Sequence, residues 1–329
     1  MRIYNFLEKY HDVSGIQNVL LNIHNSLKNR FPGVKIASFQ PYSYVKKYMN
    51  MEEKDFCYIN SVNELKGATV ILHERGFCTK LVLLNRILSL NIRIIYVHHS
   101  LLKGKRLLTF FPDEIVGISD KVIENLTGYF CVKKKRIIKI YNGIPDLVKN
   151  IKIVLPNENA VKILHIGRIC EGKQQLEIVK RLSENIDSRV YVDFMGTGDQ
   201  YNELLQVTAN SHNFRAIGFH SNVAEMIQKY DYVLLYSTIE GLPISLIEAC
   251  MCGKPIICND VGGNTEIGIN GRNAFVVNEW NKLLEVLNKL PYIKAEEYIK
   301  MCMESRKIYD QKFTIDLFAE NYINLINSK

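Results

Sequence analysis

The sequence has 329 residues, 47% of them hydrophobic, and its 42 Lys and Arg against 34 Asp and Glu give a net charge of +8. This length and composition suit two soluble domains with full cores. No apolar run reaches 18 residues and no signal peptide is present, so the composition excludes a membrane-spanning helix and we expect a cytoplasmic chain. The eight cysteines form no C-x-x-C pair and are expected to be reduced, mostly buried thiols.

Strands and helices alternate along the whole chain. We predict helices over 15–30, 79–90 and 119–128, and strands over 34–38, 68–72, 93–97, 114–118 and 136–141. From Val161 to Val277, βα units repeat at short spacing, which requires a parallel sheet with crossover helices. The polar stretch over 145–159 is predicted to be the linker and the segment over 313–326 a final amphipathic helix. The predicted domains are 1–150 and 151–310, followed by a C-terminal helix over 311–329.

Two carboxylates stand eight residues apart in the segment that begins at Tyr236. Glu240 precedes the Gly241-Leu242-Pro243 turn, and Glu248 follows it. A helix is predicted to begin near Leu242 or Pro243 and to end near residue 252, so its rise places the two carboxylates roughly 10 Å apart along the axis. Backbone N–H groups at the start of this helix can face an anion. The alternative is one acidic residue that complements the helix dipole and one ordinary exposed Glu.

Two cations follow the predicted strand over 161–167. Arg168 comes directly after Gly167, and Lys173 precedes an amphipathic helix. Cations at the carboxyl end of a strand can stabilise a departing diphosphate. The chain contains no D-x-D pair, so no metal site for a diphosphate is evident. The alternative is that both side chains are solvated surface charges.

The segment from Tyr236 to Glu266 resembles the E-x7-E signature of the retaining GT-B glycosyltransferases of family 4. The matching positions are Ser237, Glu240, Gly241, Glu248, Ala249, Gly253, Pro255, Gly262, Gly263 and Glu266. About ten fixed positions over about thirty residues are far more specific than one glycine triplet. The resemblance implies that the cations at 168 and 173 hold the donor diphosphate. It also implies that the carboxylate at 240 binds the transferred sugar and that the carboxylate at 248 binds the ribose.

Weaker matches extend the resemblance to the nucleotide pocket. Gly196 lies in a Gly-x-Gly turn whose counterpart in the family lines this pocket. Gly218 and Phe219 match the loop near the donor base, although a packed aromatic with a turn glycine is an equal reading of these two residues.

The N-terminal half matches the family more loosely. Ser14 stands where the family has the first glycine of a Gly-Gly loop near the donor phosphates, which leaves the close backbone approach to Gly15. His99, and less well His98, matches a histidine near the donor sugar. The alternative for either histidine is a hydrogen-bonded core residue.

Positive charge is concentrated in residues 1–150, which carry a net charge of +11 against −3 for the remainder. One cluster contains Lys103, Lys105 and Arg106, and a second runs over 133–136. Such clusters suit an anionic membrane surface, and a solvated basic face is the alternative. Nucleic acid is not expected as a partner, because no nucleic-acid-binding motif accompanies the charge.

The resemblance implies two Rossmann-like parallel-sheet domains facing across a cleft, with the C-terminal helix crossing back to the first domain. It implies a retaining, metal-independent glycosyltransferase without a cofactor, in which residues 160–270 bind a nucleotide sugar and residues 1–150 bind a sugar or lipid-linked glycan acceptor. Bacterial surface glycan synthesis, as of capsule, lipopolysaccharide or exopolysaccharide, is the expected setting, at the cytoplasmic face of the membrane. A non-catalytic homologue that binds nucleotide sugar or a partner transferase, and a nucleotide-sugar epimerase, are the alternatives.

Overall fold

A computed structural model describes residues 1–10 and 15–328. The chain forms two compact units by its internal contacts. Unit 1 contains Met1–Ile144 and the C-terminal segment from Phe313, and unit 2 is Pro145–Lys312. None of the helices in the described ranges is both long and apolar enough to cross a membrane.

Unit 1 is built on one parallel sheet of seven strands in the order β3-β2-β1-β4-β5-β6-β7. The strands are β1 (Ile3–Phe6), β2 (Val34–Ser38), β3 (Phe56–Tyr58), β4 (Thr69–Leu72), β5 (Arg93–His98), β6 (Glu114–Gly117) and β7 (Ile137–Lys139). The helices are α1 (Gly15–Lys28), α2 (Tyr42–Val45), α3 (Arg75–Ile87), α4 (Asp120–Glu124) and, from the end of the chain, α12 (Ile315–Asn327). Because every residue of β1 and β4 is buried, the centre of this sheet is covered on both faces, as parallel sheets require.

The C-terminal helix belongs to the N-terminal unit. The Ile144 N–H donates to the Phe313 carbonyl at 3.0 Å, so the two chain segments that leave unit 1 lie side by side. The Thr314 hydroxyl caps α12 by accepting from the Leu317 N–H at 3.3 Å. α12 packs against α1, and the Arg93 guanidinium donates to two carbonyls in its last turn.

Unit 2 contains a second parallel sheet, of six strands in the order β10-β9-β8-β11-β12-β13. The strands are β8 (Val161–Ile166), β9 (Val190–Met195), β10 (Phe214–Gly218), β11 (Tyr232–Leu235), β12 (Ile256–Cys258) and β13 (Ala274–Val276). The helices are α5 (Gln175–Leu182), α6 (Tyr201–Thr208), α7 (Val223–Gln228), α8 (Ile244–Met251), α9 (Asn264–Ile267), α10 (Trp280–Lys289) and α11 (Ala295–Lys312). The order changes direction at β8, and the loops after β8 and β11 meet at the carboxyl edge, where ligands of such sheets bind.

The predicted alternation of strands and helices is confirmed, and the main differences lie in unit 1. The helix predicted over 79–90 begins at Arg75, directly after its N-cap Glu74. The helix predicted over 119–128 is capped by Ser119, whose hydroxyl accepts from the Val122 N–H. Its α-helical part nevertheless ends at Glu124 and continues as a π-helical turn. The last predicted strand of this unit is limited to three residues, and two short strands, β1 and β3, were not predicted.

Candidate active site

The loop after β8 places two cations at the carboxyl edge of the unit 2 sheet. A Cβ on Gly196 would lie 2.0 Å from the Gly167 carbonyl oxygen, and Gly196 has a φ of +142°. Only glycine therefore allows the end of β9 to approach this loop so closely. The Ile169 N–H also donates to the Thr197 carbonyl at 2.9 Å. These contacts fix the backbone from which the side chains of residues 168 and 173 extend.

Lys173 and Glu240 form a buried ion pair. The Lys173 ammonium lies 2.6 Å from Oε1 of Glu240, whose side chain is only 8% exposed. The two loops are also joined through backbone, since the Thr238 N–H donates to the Gly172 carbonyl at 2.9 Å. A buried carboxylate needs such a partner because its charge is costly to desolvate. The structure thus brings the predicted diphosphate-binding lysine and the predicted sugar-binding carboxylate into direct contact.

The loop that carries Glu240 is held by the turn after β12. Gly262 has a φ of +56°, and a Cβ there would lie 2.2 Å from the Glu240 carbonyl oxygen. The Gly263 N–H donates to the Gly241 carbonyl at 2.9 Å. The Asn259 side chain adds a clamp: it accepts from the Ser237 N–H and donates to the Ser237 carbonyl. The turn that contains Gly262 and Gly263 therefore fixes the position of Glu240.

Arg168 lies in the same loop as Lys173 and remains accessible. Its Nε is 3.8 Å from Oδ1 of Asp199, and both side chains are more than half exposed. Such a solvent-screened contact holds a side chain only weakly. The guanidinium is more than half exposed and is therefore accessible to an anionic ligand.

Glu248 occupies α8, the helix predicted after the Gly-Leu-Pro turn. The helix begins at Ile244 with Pro243 as its N-cap, one or two residues later than predicted. Gly241 and Leu242 are buried in the preceding turn. Burial raises the pKa of the Glu248 carboxyl to about 7. Hydroxyl groups donating to this carboxylate would stabilise its charged form, so the helix presents an acceptor suited to a diol.

Phe219 follows β10 at the same edge of the sheet. Its side chain is 70% exposed, so the alternative of a packed aromatic does not hold. The neighbouring Gly218 carbonyl accepts from the Gly196 N–H at 2.8 Å. The two predicted nucleotide-side turns are therefore joined directly, with an aromatic face left open beside them.

The remaining predicted site residues belong to unit 1. Gly15 is the first residue of α1, and Ser14 lies outside the described residues. His98 is buried at the end of β5, where its ring is within hydrogen-bond distance of the Tyr96 hydroxyl and of the Asn125 side chain. Burial lowers the pKa of His98 to about 4. His98 is thus the hydrogen-bonded core residue of the adjacent pair.

His99 has a different neighbour from His98. Its Nε2 lies 2.8 Å from Nδ1 of His73, which follows the adjacent strand β4. Burial is the main reason that the pKa of His99 falls to about 3, so the ring is neutral. The contact with His73 was not predicted, although His73 stands, like His99, at the carboxyl end of a predicted strand.

Metal ligation has no counterpart among the described residues. Within residues 1–10 and 15–328, no group of three or more His, Cys, Asp or Glu side chains is arranged to hold a metal ion. Metal independence stays a prediction of the family resemblance.

Comparison with known proteins shows which proteins this chain is similar to. The model of the glycosyl transferases group 1 family matches residues 146–298. Residues 146–298 are therefore similar to a group 1 glycosyltransferase domain. The match covers most of unit 2 and includes both carboxylates and both cations described above.

Individual relatives are named as glycosyltransferases. The chain is 27% identical over 257 residues to the O-antigen biosynthesis glycosyltransferase WbnH of Escherichia coli, covering 73% of this chain and 71% of that protein. It is 28% identical over 192 residues to the UDP-Gal:alpha-D-GlcNAc-diphosphoundecaprenol alpha-1,3-galactosyltransferase of Escherichia coli, covering 54% and 49%.

The likeness in fold extends over the complete chain. The crystal structure of Anabaena Alr3699/HepE in complex with UDP matches with a TM-score of 0.84 at 16% identity, covering 100% of both chains. The predicted fold class, a GT-B protein with two Rossmann-like parallel-sheet domains, is confirmed by this match and by the two sheets.

Proposed function

We propose that this protein is a glycosyltransferase that transfers a sugar from a nucleotide-sugar donor to a hydroxyl group of a glycan acceptor, with retention of configuration and without a metal ion. The observation that carries the proposal is the Lys173–Glu240 pair beside Arg168, at the carboxyl edge of the unit 2 sheet. Unit 2 would bind the donor and unit 1 the acceptor, as the family resemblance implies.

Each charged side chain of the site matches one part of a nucleotide sugar. The Lys173 ammonium and the Arg168 guanidinium would stabilise the negative charge that develops on the leaving diphosphate. The Glu240 carboxylate would accept hydrogen bonds from hydroxyls of the transferred sugar, and Glu248 from the ribose. In the front-face route, the bond from the anomeric carbon to phosphate breaks as the acceptor oxygen attacks the same face. The acceptor proton passes to the leaving phosphate.

The names of the relatives support the substrate class. HepE was crystallised with UDP, and WbnH is named as an O-antigen biosynthesis enzyme. The galactosyltransferase of Escherichia coli is named for a UDP-sugar donor and a diphosphoundecaprenol-linked acceptor. We therefore propose a uridine nucleotide donor, a lipid-linked glycan acceptor and a role in bacterial surface polysaccharide synthesis in the cytoplasm.

The function is tested by a panel of nucleotide sugars. The true donor at about 100 times its dissociation constant should add about 2.7 kcal/mol of stability, seen as a rise in melting temperature. With N-acetylglucosamine-diphospholipid as acceptor, the donor should then give an α-linked product, seen by NMR. Donor release only as an epimerised nucleotide sugar would instead support an epimerase, and binding without any turnover would support a non-catalytic homologue.

Substitutions of the two carboxylates should have different effects on nucleotide binding. We expect Glu248→Gln to weaken binding of UDP, because the ribose hydroxyls lose a charged acceptor. Glu240→Gln should not weaken UDP binding, because UDP carries no transferred sugar, and should weaken binding of only the intact donor. Isothermal calorimetry on both variants measures the two affinities. Equal losses for both ligands in both variants would show that these roles are assigned wrongly.

An apolar tip accompanies the first basic cluster of unit 1. Leu107 is 90% exposed and Leu108 is 70% exposed, on a short turn that begins at Arg106. Lys103 and Lys105 precede the turn and are exposed. Apolar side chains among cations suit the interface of an anionic membrane. In the second cluster, Arg136 differs from its neighbours, because its guanidinium donates to the carbonyls of Phe111 and Pro112.

We expect the protein to sediment with liposomes that contain anionic phosphatidylglycerol and to be released as salt rises, because the screening length is about 10 Å at 0.1 M salt. Replacing Lys103, Lys105 and Arg106 with Glu should abolish sedimentation. Leu107→Ser with Leu108→Ser should weaken sedimentation and make the remainder more sensitive to salt. Donor hydrolysis in both variants serves as the control and should be unchanged. If the wild-type protein does not sediment with anionic liposomes at low salt, the first basic cluster is a solvated face.

A further inference from the structure

A chain of hydrogen bonds crosses the carboxyl edge of the unit 1 sheet. Nδ2 of Asn5 donates to the Leu20 carbonyl at 2.6 Å. Oδ1 of Asn5 lies 2.7 Å from Nε2 of His73, and Nδ1 of His73 lies 2.8 Å from Nε2 of His99. The three side chains come from β1 and from the ends of β4 and β5, which are neighbours in the sheet. Asn5 and His73 are buried, whereas His99 is partly exposed.

The donor and the acceptor of each hydrogen bond from Asn5 to His99 follow from the bond between Asn5 and the Leu20 carbonyl. A carbonyl oxygen can only accept, so the Asn5 amide nitrogen faces Leu20 and its oxygen faces His73. The amide oxygen also only accepts, so Nε2 of His73 carries the proton. A neutral His73 then has a lone pair at Nδ1, and Nε2 of His99 must donate to it.

The neutral state of both rings is favoured by their surroundings. Burial, and next the neighbouring His99, lowers the pKa of His73 well below its ordinary value. The amide of Asn5 supplies no negative charge that would favour an imidazolium. Nδ1 of His99 is therefore left as an unprotonated acceptor, and no described residue bonds to it.

We propose that Asn5 and His73 are positioning residues that hold His99 in its Nε2–H tautomer, so that Nδ1 of His99 accepts a hydrogen bond from a hydroxyl group of a sugar substrate. The substrate class rests on the proposed function. A neutral nitrogen acceptor complements a hydroxyl donor, and it repels the oxygen of a phosphate or carboxylate, which can only accept. These hydrogen bonds from Asn5 through His73 to His99, the relay, thus select which chemical group His99 can bind.

The tautomers can be measured without any turnover. Long-range 15N–1H spectra of protein labelled at histidine distinguish the two neutral tautomers from the imidazolium. We expect His73 and His99 to be Nε2–H at neutral pH, with assignments made from His73→Gln and His99→Gln. An Nδ1–H tautomer of His99 would overturn the proposal.

Titration with substrates shows which hydroxyl is bound. The Nδ1 resonance of His99 should move when UDP-galactose or UDP-glucose is added if the donor sugar is bound, and with N-acetylglucosamine if the acceptor is bound. UDP alone should leave it in place. An equal response to UDP alone, or no response to any of these probes, would contradict binding of a sugar hydroxyl.

Three variants distinguish a positioning role of His73 from a purely structural role. His73→Phe keeps a ring but removes the acceptor for His99, and should lower kcat/KM about tenfold, the effect of one ordinary hydrogen bond. His73→Gln offers one acceptor and one donor on a planar group and should restore most of the activity. His24→Phe removes another buried histidine of unit 1 and is the control for stability. Equal kcat/KM in His73→Phe and His24→Phe would overturn the proposal.

Different experimental results would contradict the relay and the proposed function. A wild-type protein with the expected tautomers but without transfer to any acceptor contradicts the proposed function and supports the tautomer assignment. A protein that transfers sugar while His99 carries its proton at Nδ1 supports the function and overturns the relay.

Discussion

Arg168→Ala and Lys173→Ala should each lower turnover about 100-fold or more, which is the usual effect of removing one pre-placed stabiliser of developing charge. Both cations lie in the loop after β8, where the leaving diphosphate is proposed to bind. The rate of donor hydrolysis at saturating donor measures the effect. Unchanged turnover in both folded variants would show that this loop does not hold the leaving group.

The two variants should differ in stability. The Arg168 side chain is more than half exposed and its contact with Asp199 is long, so its loss should lower the melting temperature less than the loss of Lys173 does. Loss of the Lys173 ammonium leaves the buried Glu240 carboxylate uncompensated and should destabilise the protein. The double variant Lys173→Met with Glu240→Gln removes both charges. It should recover stability without recovering turnover, which separates the chemical role of the lysine from its structural one.

Gly196→Ala should lower the free energy of unfolding by about 3 kcal/mol or more, since it combines backbone strain with a steric clash. The added Cβ would lie 2.0 Å from the Gly167 carbonyl oxygen, and this backbone cannot move without displacing the cation loop. Urea denaturation measures the change.

Gly76→Ala is the matched control for that substitution. Gly76 lies in α3, and a Cβ there meets no atom within 4 Å. Because alanine favours a helix more than glycine does, this variant should be as stable as the wild type or more stable. A Gly196→Ala protein with an unaltered urea midpoint would mean that the two loops do not approach as closely as described.

Much of the fold could be predicted because local patterns determine it. Buried parallel strands are continuous apolar runs, and the Ser119 cap and the Gly-Leu-Pro turn mark helix starts in the sequence. The start of α3 could not be predicted, because Arg75, Gly76 and Phe77 carry no capping signal and the helix is instead fixed by packing. β1 has only four residues, too few for a periodic pattern.

The contacts within the candidate site could not be predicted from the sequence. The family resemblance implied that Lys173 and Glu240 serve one ligand, yet they are 67 positions apart, and their pairing depends on which strands are neighbours in the sheet. The same reason hides the relay from Asn5 to His99, whose members come from three strands. Side chains that meet only through strand order leave no signal in their local sequence.

The ion pair also determines which anions can compete for the site. A phosphate that approaches Lys173 meets an ammonium already engaged by a carboxylate 2.6 Å away. Free inorganic phosphate can displace Glu240 only by leaving that carboxylate buried without a donor, at a cost of desolvation. A nucleotide sugar brings phosphate oxygens for the lysine and hydroxyls for the carboxylate together. The Glu240 counterion therefore makes Lys173 a weak site for small anions and favours a ligand that carries both phosphate and hydroxyl groups.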